Sequence, residues 1–450
     1  MKNIIIVGAG KIGRYIASIL SKEQHNVVLV DSSPKKLQLA SSTMDIATRL
    51  GNGTDWKLLE NLLELSPELL IALTDDDNTN LVACSIAKNL GYSRTICRIK
   101  DGSFLNKTRL DFGRLFNVDH FIGPEILIPD EILKYILAPG SLAVESFAHG
   151  AIQMRTIVVP HKWRQGDIPL RDLHLPPDMI IALIRRMKNS GDQVIFPHGN
   201  DCILPGDEVT LIGETDVIID VHHFFGIPQK IISSAVIIGG SVTGFNLATL
   251  LVHNGISVRL IDNNQERCVE LAAKLPTCSI INHSGTDFDF YRSEKIGQAD
   301  ILIACTESDD VNVVAGLLGK ESGCEEVVVM QSNTTYASLI SRMGIHHIVS
   351  PRVIAANHIL SQILSGTVTS LVSLYENRAE VMEINVSMDS EIVGISLSEL
   401  GPLLPKDFLI AMIQNRGRIM VANGNRIISP GDTVIVMTDP KHVDEIRDMF

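Results

Sequence analysis

The sequence is short of aromatic residues, of positive charge, of patterned cysteines and of long apolar runs, and each shortage removes a class of protein. Aromatics make up 5% against 45% hydrophobic residues overall, so the interior must be aliphatic. That is the profile of an α/β protein with buried parallel strands. A formal net charge of −13 leaves no basic face for a phosphate backbone, which argues against a nucleic-acid partner. It also argues against broad adhesion to an anionic membrane, though not against docking onto a membrane protein. The seven cysteines (Cys84, Cys97, Cys202, Cys268, Cys278, Cys305 and Cys324) form no CxxC pair and no zinc spacing. Several sit in apolar runs and read as small buried hydrophobes, and an odd count without a framework fits a reducing cytoplasm. No stretch approaches the ~18 apolar residues that span a bilayer. The chain enters a strand at once, which leaves no room for a signal peptide. The expectation is a soluble, cytoplasmic protein.

What is present begins at the N-terminus. An apolar run, Ile4 to Val7, leads into Gly8-Ala9-Gly10-Lys11-Ile12-Gly13-Arg14; an amphipathic stretch follows, and Val27 to Val30 ends on Asp31. Strand, glycine turn, helix, strand and acid in that order describe a mononucleotide-binding βαβ unit. The first glycine makes the tight turn, the second lets backbone N–H groups approach a pyrophosphate, and the third packs the helix on its strand. The helix N-terminus offers donors and a positive dipole end to phosphates. Asp31 stands where a carboxylate accepts ribose hydroxyls.

The unit continues as a doubly wound sheet. Lys35 to Ala47 reads as helix, Thr48 to Leu50 as a short strand, and Trp56 to Leu65 as helix. Leu69 to Thr74 is a strand ending in Asp75-Asp76-Asp77, which opens a helix to Leu90; Thr95 to Ile99 and part of Leu115 to Ile122 are further strands. Pro124 starts a helix toward Ala138. The strand ends gather Gly8 to Gly13, Asp31, Thr54, Asp55, Thr74, Asp75 and Arg98 along one edge, where open α/β sheets bind ligands. From Pro139 the texture changes to short alternating runs with turn pairs such as Pro205-Gly206-Asp207, the pattern of a small antiparallel α+β module.

The plan then repeats. Gly239, Gly240, Ser241 and Gly244 restate the glycine turn at an offset of 231 (239 − 8), and Asp262 restates Asp31 at the same offset. Thr306 to Asn312 restates Thr74 to Asn80, and Pro430-Gly431-Asp432 restates Pro205 to Asp207. The fold class is therefore two Rossmann-like doubly wound parallel sheets, each followed by a small α+β domain, a duplication rather than a solenoid. The boundaries read as 1–138, 139–222, a linker at 223–231, 232–365 and 366–450.

This arrangement resembles the cytoplasmic regulatory subunits of bacterial Trk potassium-uptake systems, which carry tandem RCK (regulator of potassium conductance) domains. The carriers are the Gly8 to Gly13 turn, Asp31, Ala72 to Thr74 leading into Asn78 to Cys84, Arg98, Asp119 to Glu125 and the two Pro-Gly-Asp modules. The resemblance implies no catalysis. It implies binding of NAD(H) and/or ATP/ADP, homo-oligomers built through RCK domains, and control of a potassium-translocating, TrkH-like membrane subunit. It also implies a peripheral location on the cytoplasmic face of the inner membrane. The rival is an NAD-dependent oxidoreductase, but the modules after each nucleotide unit show no acid/base and anion-clamp constellation.

The copies are not equal. Lys11, Arg14 and Arg98 correspond to Val242, Phe245 and Met330, and Gly10 to Ser241. The first site is expected to be the principal one, and the second weak, altered or empty. Among the remaining candidates, Asp75 to Asp77 reads as helix capping rather than a metal site. Thr54 and Asp55 suit an adenosine contact or an N-cap equally. Thr74 is open between ligand contact and structure. His222-His223 and His346-His347, without partner acids at ligand spacing, read as ordinary surface or interface histidines, so no metal site is expected. Arg185-Arg186 reads as a solvated face. Pro124 to Leu137 suits packing within its own domain, to which the resemblance adds a crossover between neighbouring domains.

Overall fold

The computed structural model describes residues 2–450 except 106–108, 139, 189–190, 228–230, 334–335, 364–367, 376–377, 402–403 and 406. Pro139, Pro228 and Lys230, at the boundaries read from the sequence, lie outside the described residues.

The first sheet contains β1 (Asn3–Val7), β2 (Asn26–Asp31), β3 (Ala47–Leu50), β4 (Leu69–Ala72), β5 (Arg94–Arg98) and β6 (His120–Ile122), parallel in the order β3-β2-β1-β4-β5-β6. This is the doubly wound Rossmann order. Its central strands are buried on both faces, with Ile4, Ile5, Ile6 and Val7 at most 1% exposed. Each such side chain stabilises the fold by roughly 1.5–3 kcal/mol. Then β7 (Ser141–Phe147), β8 (Ile152–Val158), β9 (Met179–Lys188), β10 (Gly191–Ile195) and β11 (Glu208–Glu214) form an antiparallel sheet ordered β10-β9-β11-β8-β7.

The second half rebuilds both sheets. β12 (Ser234–Ile238), β13 (Ser257–Asp262), β14 (Ser279–Asn282), β15 (Ile301–Ala304), β16 (Glu326–Met330) and β17 (His347–Val349) take the order β14-β13-β12-β15-β16-β17. β18 (Val368–Leu374), β19 (Ala379–Asn385), β20 (Phe408–Asn415), β21 (Arg418–Val421) and β22 (Thr433–Thr438) take the order β18-β19-β22-β20-β21. Strand for strand, the topologies of the copies match.

The sequential copies do not compact in sequence order. One compact unit is Met1–Leu133 with Ile232–Ile359, and the other is Lys134–Ile231 with Leu360–Phe450. Like domain therefore pairs with like. In the second unit Phe147, Met154 and Ile212 share one core with Val381, Met412 and Met437, and Tyr375 Oη lies 2.6 Å from Thr210 Oγ1.

Three local readings are corrected. The helix expected over Lys35 to Ala47 is Pro34–Ser41; Ser42 and Thr43 hydroxyls donate to the Leu39 carbonyl, and such local bonds compete with continued helix. The helix from Trp56 is α only to Asn61 and continues as a 3₁₀ turn, Leu62–Leu65. Arg185 and Arg186 are not a solvated face. They lie in β9, where Arg185 pairs with Asp192 and Glu208, and Arg186 with Asp207 at 2.7 Å.

Candidate functional site

The first βαβ unit is shaped by its glycines and Asp31. Gly8 has φ +106°, and a Cβ there would fall 2.8 Å from the Leu73 carbonyl carbon. A Cβ on Gly13 would meet the Gly8 oxygen at 1.9 Å, so the helix Lys11–Lys22 sits against the turn only because residue 13 has no side chain. Gly10 differs: a Cβ there meets nothing of the protein within 4 Å. Packing does not explain glycine at position 10, and the open space there leaves room for a phosphate group to approach. Gly10 is also the N-cap and supplies no side-chain cap, so the first-turn N–H groups remain available as donors.

Asp31 ends β2 and clasps the turn. Its carboxylate accepts from Ala9 N at 2.7 Å and Ser33 N at 2.8 Å. Each oxygen keeps a further lone pair, so this acid holds the backbone in place and can still accept from a ribose. Lys11 is exposed and Ile12 buried. Arg14 folds back to donate to the Ala9 carbonyl at 2.6 Å, placing a positive charge beside the turn.

The neighbouring strand end is held by a residue the sequence reading left out of the site. Asn80, fully buried, accepts from Thr74 N at 2.9 Å and Thr74 Oγ1 at 2.7 Å, and donates to the carbonyls of Thr74 and Arg98. Thr74 is thus fixed structurally, at the strand edge beside Gly8. The three acids divide their tasks. Asp76 is the N-cap, accepting from Thr79 N at 2.8 Å, and the Thr79 bonds hold its carboxyl below the usual range. Asp77 accepts from Lys100 N and Asp101 N. Asp75 takes a hydrogen bond from Arg98 Nη1 at 2.9 Å.

Arg98 is 8% exposed and its Nη2 donates to Glu125 Oε1 at 2.6 Å. Its guanidinium is therefore committed to two carboxylates of its own domain. Glu125 was visible in the sequence only as part of the Asp119 to Glu125 stretch. Thr54 lies in the next loop, and Asp55 is an N-cap accepting from Lys57 N at 3.1 Å.

The second copy repeats the scaffold and changes the contacts. Asp262 accepts from Gly240 N at 2.7 Å and Asn264 N at 2.8 Å. Asn312 locks Thr306 as Asn80 locks Thr74. Gly239 keeps a positive φ, and Gly244 packs against the Gly239 oxygen as Gly13 does against Gly8. Here, however, Arg267 lies 3.2 Å from Asp262 Oδ2 and occupies the acid, whereas its counterpart Lys36 stays 3.9 Å from Asp31. Ser241, Asp262, Arg267, Gly285, Thr306 and Ser308 line a cavity of about 330 Å³.

The histidine pairs are not alike. His346 Nδ1 lies 3.2 Å from Ser341 Oγ, and burial pushes His347 down to about 3. His222 is 5% exposed, which corrects the surface reading, and Asp220 brings an acid close to both His222 and His223. Among the described residues no helix is long and apolar enough to cross a membrane.

Comparison with known proteins follows the same outline. The TrkA-N domain model matches residues 4–122 and again 235–351, and the TrkA-C domain model matches 381–450. A Trk system potassium uptake protein TrkA of Haemophilus influenzae is 30% identical over 461 residues, covering 99% of this chain and 98% of that protein. A TrkA homolog 1 of Methanosarcina mazei is 28% identical over 454 residues, covering 99% of each. Among solved structures, the GsuK channel bound to NAD superposes with a TM-score of 0.61 at 16% identity, covering 100% of this chain and 78% of that one. GsuK bound to ADP superposes at 0.51 and 15% identity, covering 81% and 69%.

Proposed function

The chain belongs to the TrkA family of Trk-system potassium-uptake proteins, regulatory rather than catalytic, and on that premise we propose that it is a cytoplasmic subunit that senses adenine nucleotides and gates a potassium-translocating membrane partner. On this reading residues 1–138 and 232–365 are the RCK N-terminal copies, 139–222 and 366–450 the small modules, and 223–231 the linker. The protein works as a homo-oligomer at the cytoplasmic face of the membrane, docked on a TrkH-like subunit.

The observation that carries the proposal is the contrast between copies on a shared scaffold. The Asp31 clasp and the Asn80 lock recur as the Asp262 clasp and the Asn312 lock. Gly10, Lys11 and Arg14 do not recur, and Arg267 occupies Asp262. The first copy is therefore assigned as the principal site for NAD(H) or ATP/ADP. Gly8 to Gly13 and the first helical turn receive the phosphates, and Asp31 receives the ribose.

When bound, the nucleotide supplies negative charge and an adenosine handle. It regulates only through a difference in affinity between two arrangements of the assembly, because a ligand with equal affinity for both shifts nothing. Potassium-limited growth of a deletion strain tests the function. Wild type restores growth and Gly10→Asp does not; if deletion leaves potassium uptake unchanged, the proposal fails.

A further inference from the structure

We propose that Asp220, His222 and His223 form a binding site for a single borderline divalent transition-metal ion of the zinc class. Asp220 is the N-cap of the short helix Val221–Phe224 that comes after β11, and His222 and His223 lie within that helix. One side-chain ligand atom from each lies within 4.8 Å of the others. Ligand atoms at about 2.0–2.2 Å from one ion stand roughly 3–4 Å apart, so a small rotation of the exposed Asp220 and His223 closes the set.

His222 carries the argument. Its Nδ1 lies 3.1 Å from the Ile219 carbonyl, a partner that can only accept, so the ring proton belongs on Nδ1. Nε2 is then a bare acceptor, and it is buried without a hydrogen-bond partner. A buried, unpaired ring nitrogen costs stability unless something ligates it. A backbone carbonyl holding the far nitrogen is the usual orientation device of a metal-bound imidazole.

The backbone under the site is fixed. Ile218, Val221 and Phe225 belong to one buried cluster, and the Phe225 ring sits 4.9 Å from that of Trp163. The rings of His222 and His223 are 4.0 Å apart.

The charge balance selects the ion. Buried Arg155, whose pKa is lowered by burial and partly restored by Asp220, donates to the Ile219 carbonyl at 3.2 Å. One carboxylate in that positive field, with two imidazoles, does not suit calcium or magnesium, which need oxygen-rich sites. Two nitrogens and one oxygen suit zinc, cobalt or nickel and leave a coordination position open. Asp220 and His223 are exposed, so solvent reaches two of the three ligands.

The duplication provides an internal control. At the offset set by Pro205 and Pro430 (430 − 205 = 225), the three positions become Glu445, Arg447 and Asp448. Arg447 pairs with Asp444 at 2.7 Å, so the second module holds an arginine where the first holds the bare imidazole.

The test uses the full, tag-free chain, stripped with chelator and titrated with Zn²⁺ against a chromophoric competitor, then with Co²⁺ read by visible absorption. The expected result is one ion per chain, with affinity reduced at least ~10-fold in Asp220→Ala and in His223→Ala. Both side chains are exposed, so these variants keep the fold, and circular dichroism checks it. Wild type gains melting temperature with Zn²⁺ and the two variants do not. Zinc binding that is absent from wild type, or unchanged in both variants, overturns the proposal. Because no nucleotide enters the titration, its outcome is independent of the nucleotide-sensing reading.

Discussion

The side-chain amide of Asn246 donates to the backbone carbonyl of Glu125 across 3.1 Å, joining the first helix of the second copy to the start of the Pro124–Leu137 helix of the first. The duplication supplies its mate. Tyr15 occupies the position of Asn246 (246 − 15 = 231), and Arg352 that of Glu125, each following a helix-opening proline. The Arg352 guanidinium lies 5.5 Å from the centre of the Tyr15 ring. Exchanging the copies exchanges the two contacts, which is the logic of an isologous interface within one chain. Glu125 also holds Arg98, whose Nη1 reaches the Thr74 carbonyl at 3.4 Å. The strand edge of the first site is therefore physically continuous with the interface between copies.

Glu125→Ala strands the buried Arg98 beside Asp75, which is 77% exposed and screened by solvent. Breaking one side of a buried pair costs about 3–5 kcal/mol. The double change Arg98→Met with Glu125→Gln is expected to cost much less, since the second copy already carries Met330 at the arginine position. Urea unfolding of the full chain distinguishes them. Equal losses in both variants would show that the pair is not what matters.

Tyr15→Leu and Arg352→Gln are expected to couple. An arginine over a tyrosine face contributes about 0.5–1 kcal/mol at a partly exposed site. A double-mutant cycle on unfolding free energy measures this directly. Strict additivity would mean that the 5.5 Å contact carries no energy.

Asn80→Ala removes the acceptor of Thr74 N and the amide donor to the buried Arg98 carbonyl, each lost partner costing roughly 1–3 kcal/mol. It is expected to weaken nucleotide binding as well, because the strand edge beside Gly8 loosens. Asn312→Ala makes the equivalent lesion in the second copy. It is expected to destabilise similarly while leaving the tight nucleotide affinity within about twofold. Calorimetric titration of both variants separates the two.

Asp300 is expected to shape acid stability. Burial raises its pKa, but hydrogen bonds from the backbone and hydroxyls of Ser233 and Ser234 outweigh that and bring it from 3.8 to about 2. A depressed carboxyl stabilises the fold above the unfolded value, and that contribution is lost as pH falls from about 3.8 to about 2. Asp300→Ala should lower stability at neutral pH and flatten the curve in that window. An unchanged acid limb would refute this assignment.

How much of this was legible in the sequence depends on the distance over which each feature acts. The strands, the Gly8 to Gly13 turn and Asp31 obey local rules, because a parallel strand must be apolar on both faces and a tight turn must lack a Cβ. Internal comparison then exposed the loss of Lys11 and Arg14 in the second copy. Glu125 escaped because its partner Arg98 lies 27 residues away. Asn80 escaped because its bonds to Thr74, six residues back, and to the Arg98 carbonyl, 18 on, form only once the helix docks beside the strand ends. Arg185 and Arg186 looked solvated because their acids come from β10, β11 and the turn before β11. His222 looked exposed because its burial depends on packing around Val221 and Phe225 rather than on any periodic pattern. The pairing of like domain with like is a tertiary choice that sequential order conceals.

The inequality of the two copies is the centre of the account, and calorimetric titration of the full chain with ADP, ATP, NAD and NADH tests it most directly. At least one of these should bind tightly at one site per chain, and Gly10→Asp should abolish that heat while Ser241→Asp leaves it intact. Two equal tight sites per chain, or a tight site that survives Gly10→Asp, would contradict it.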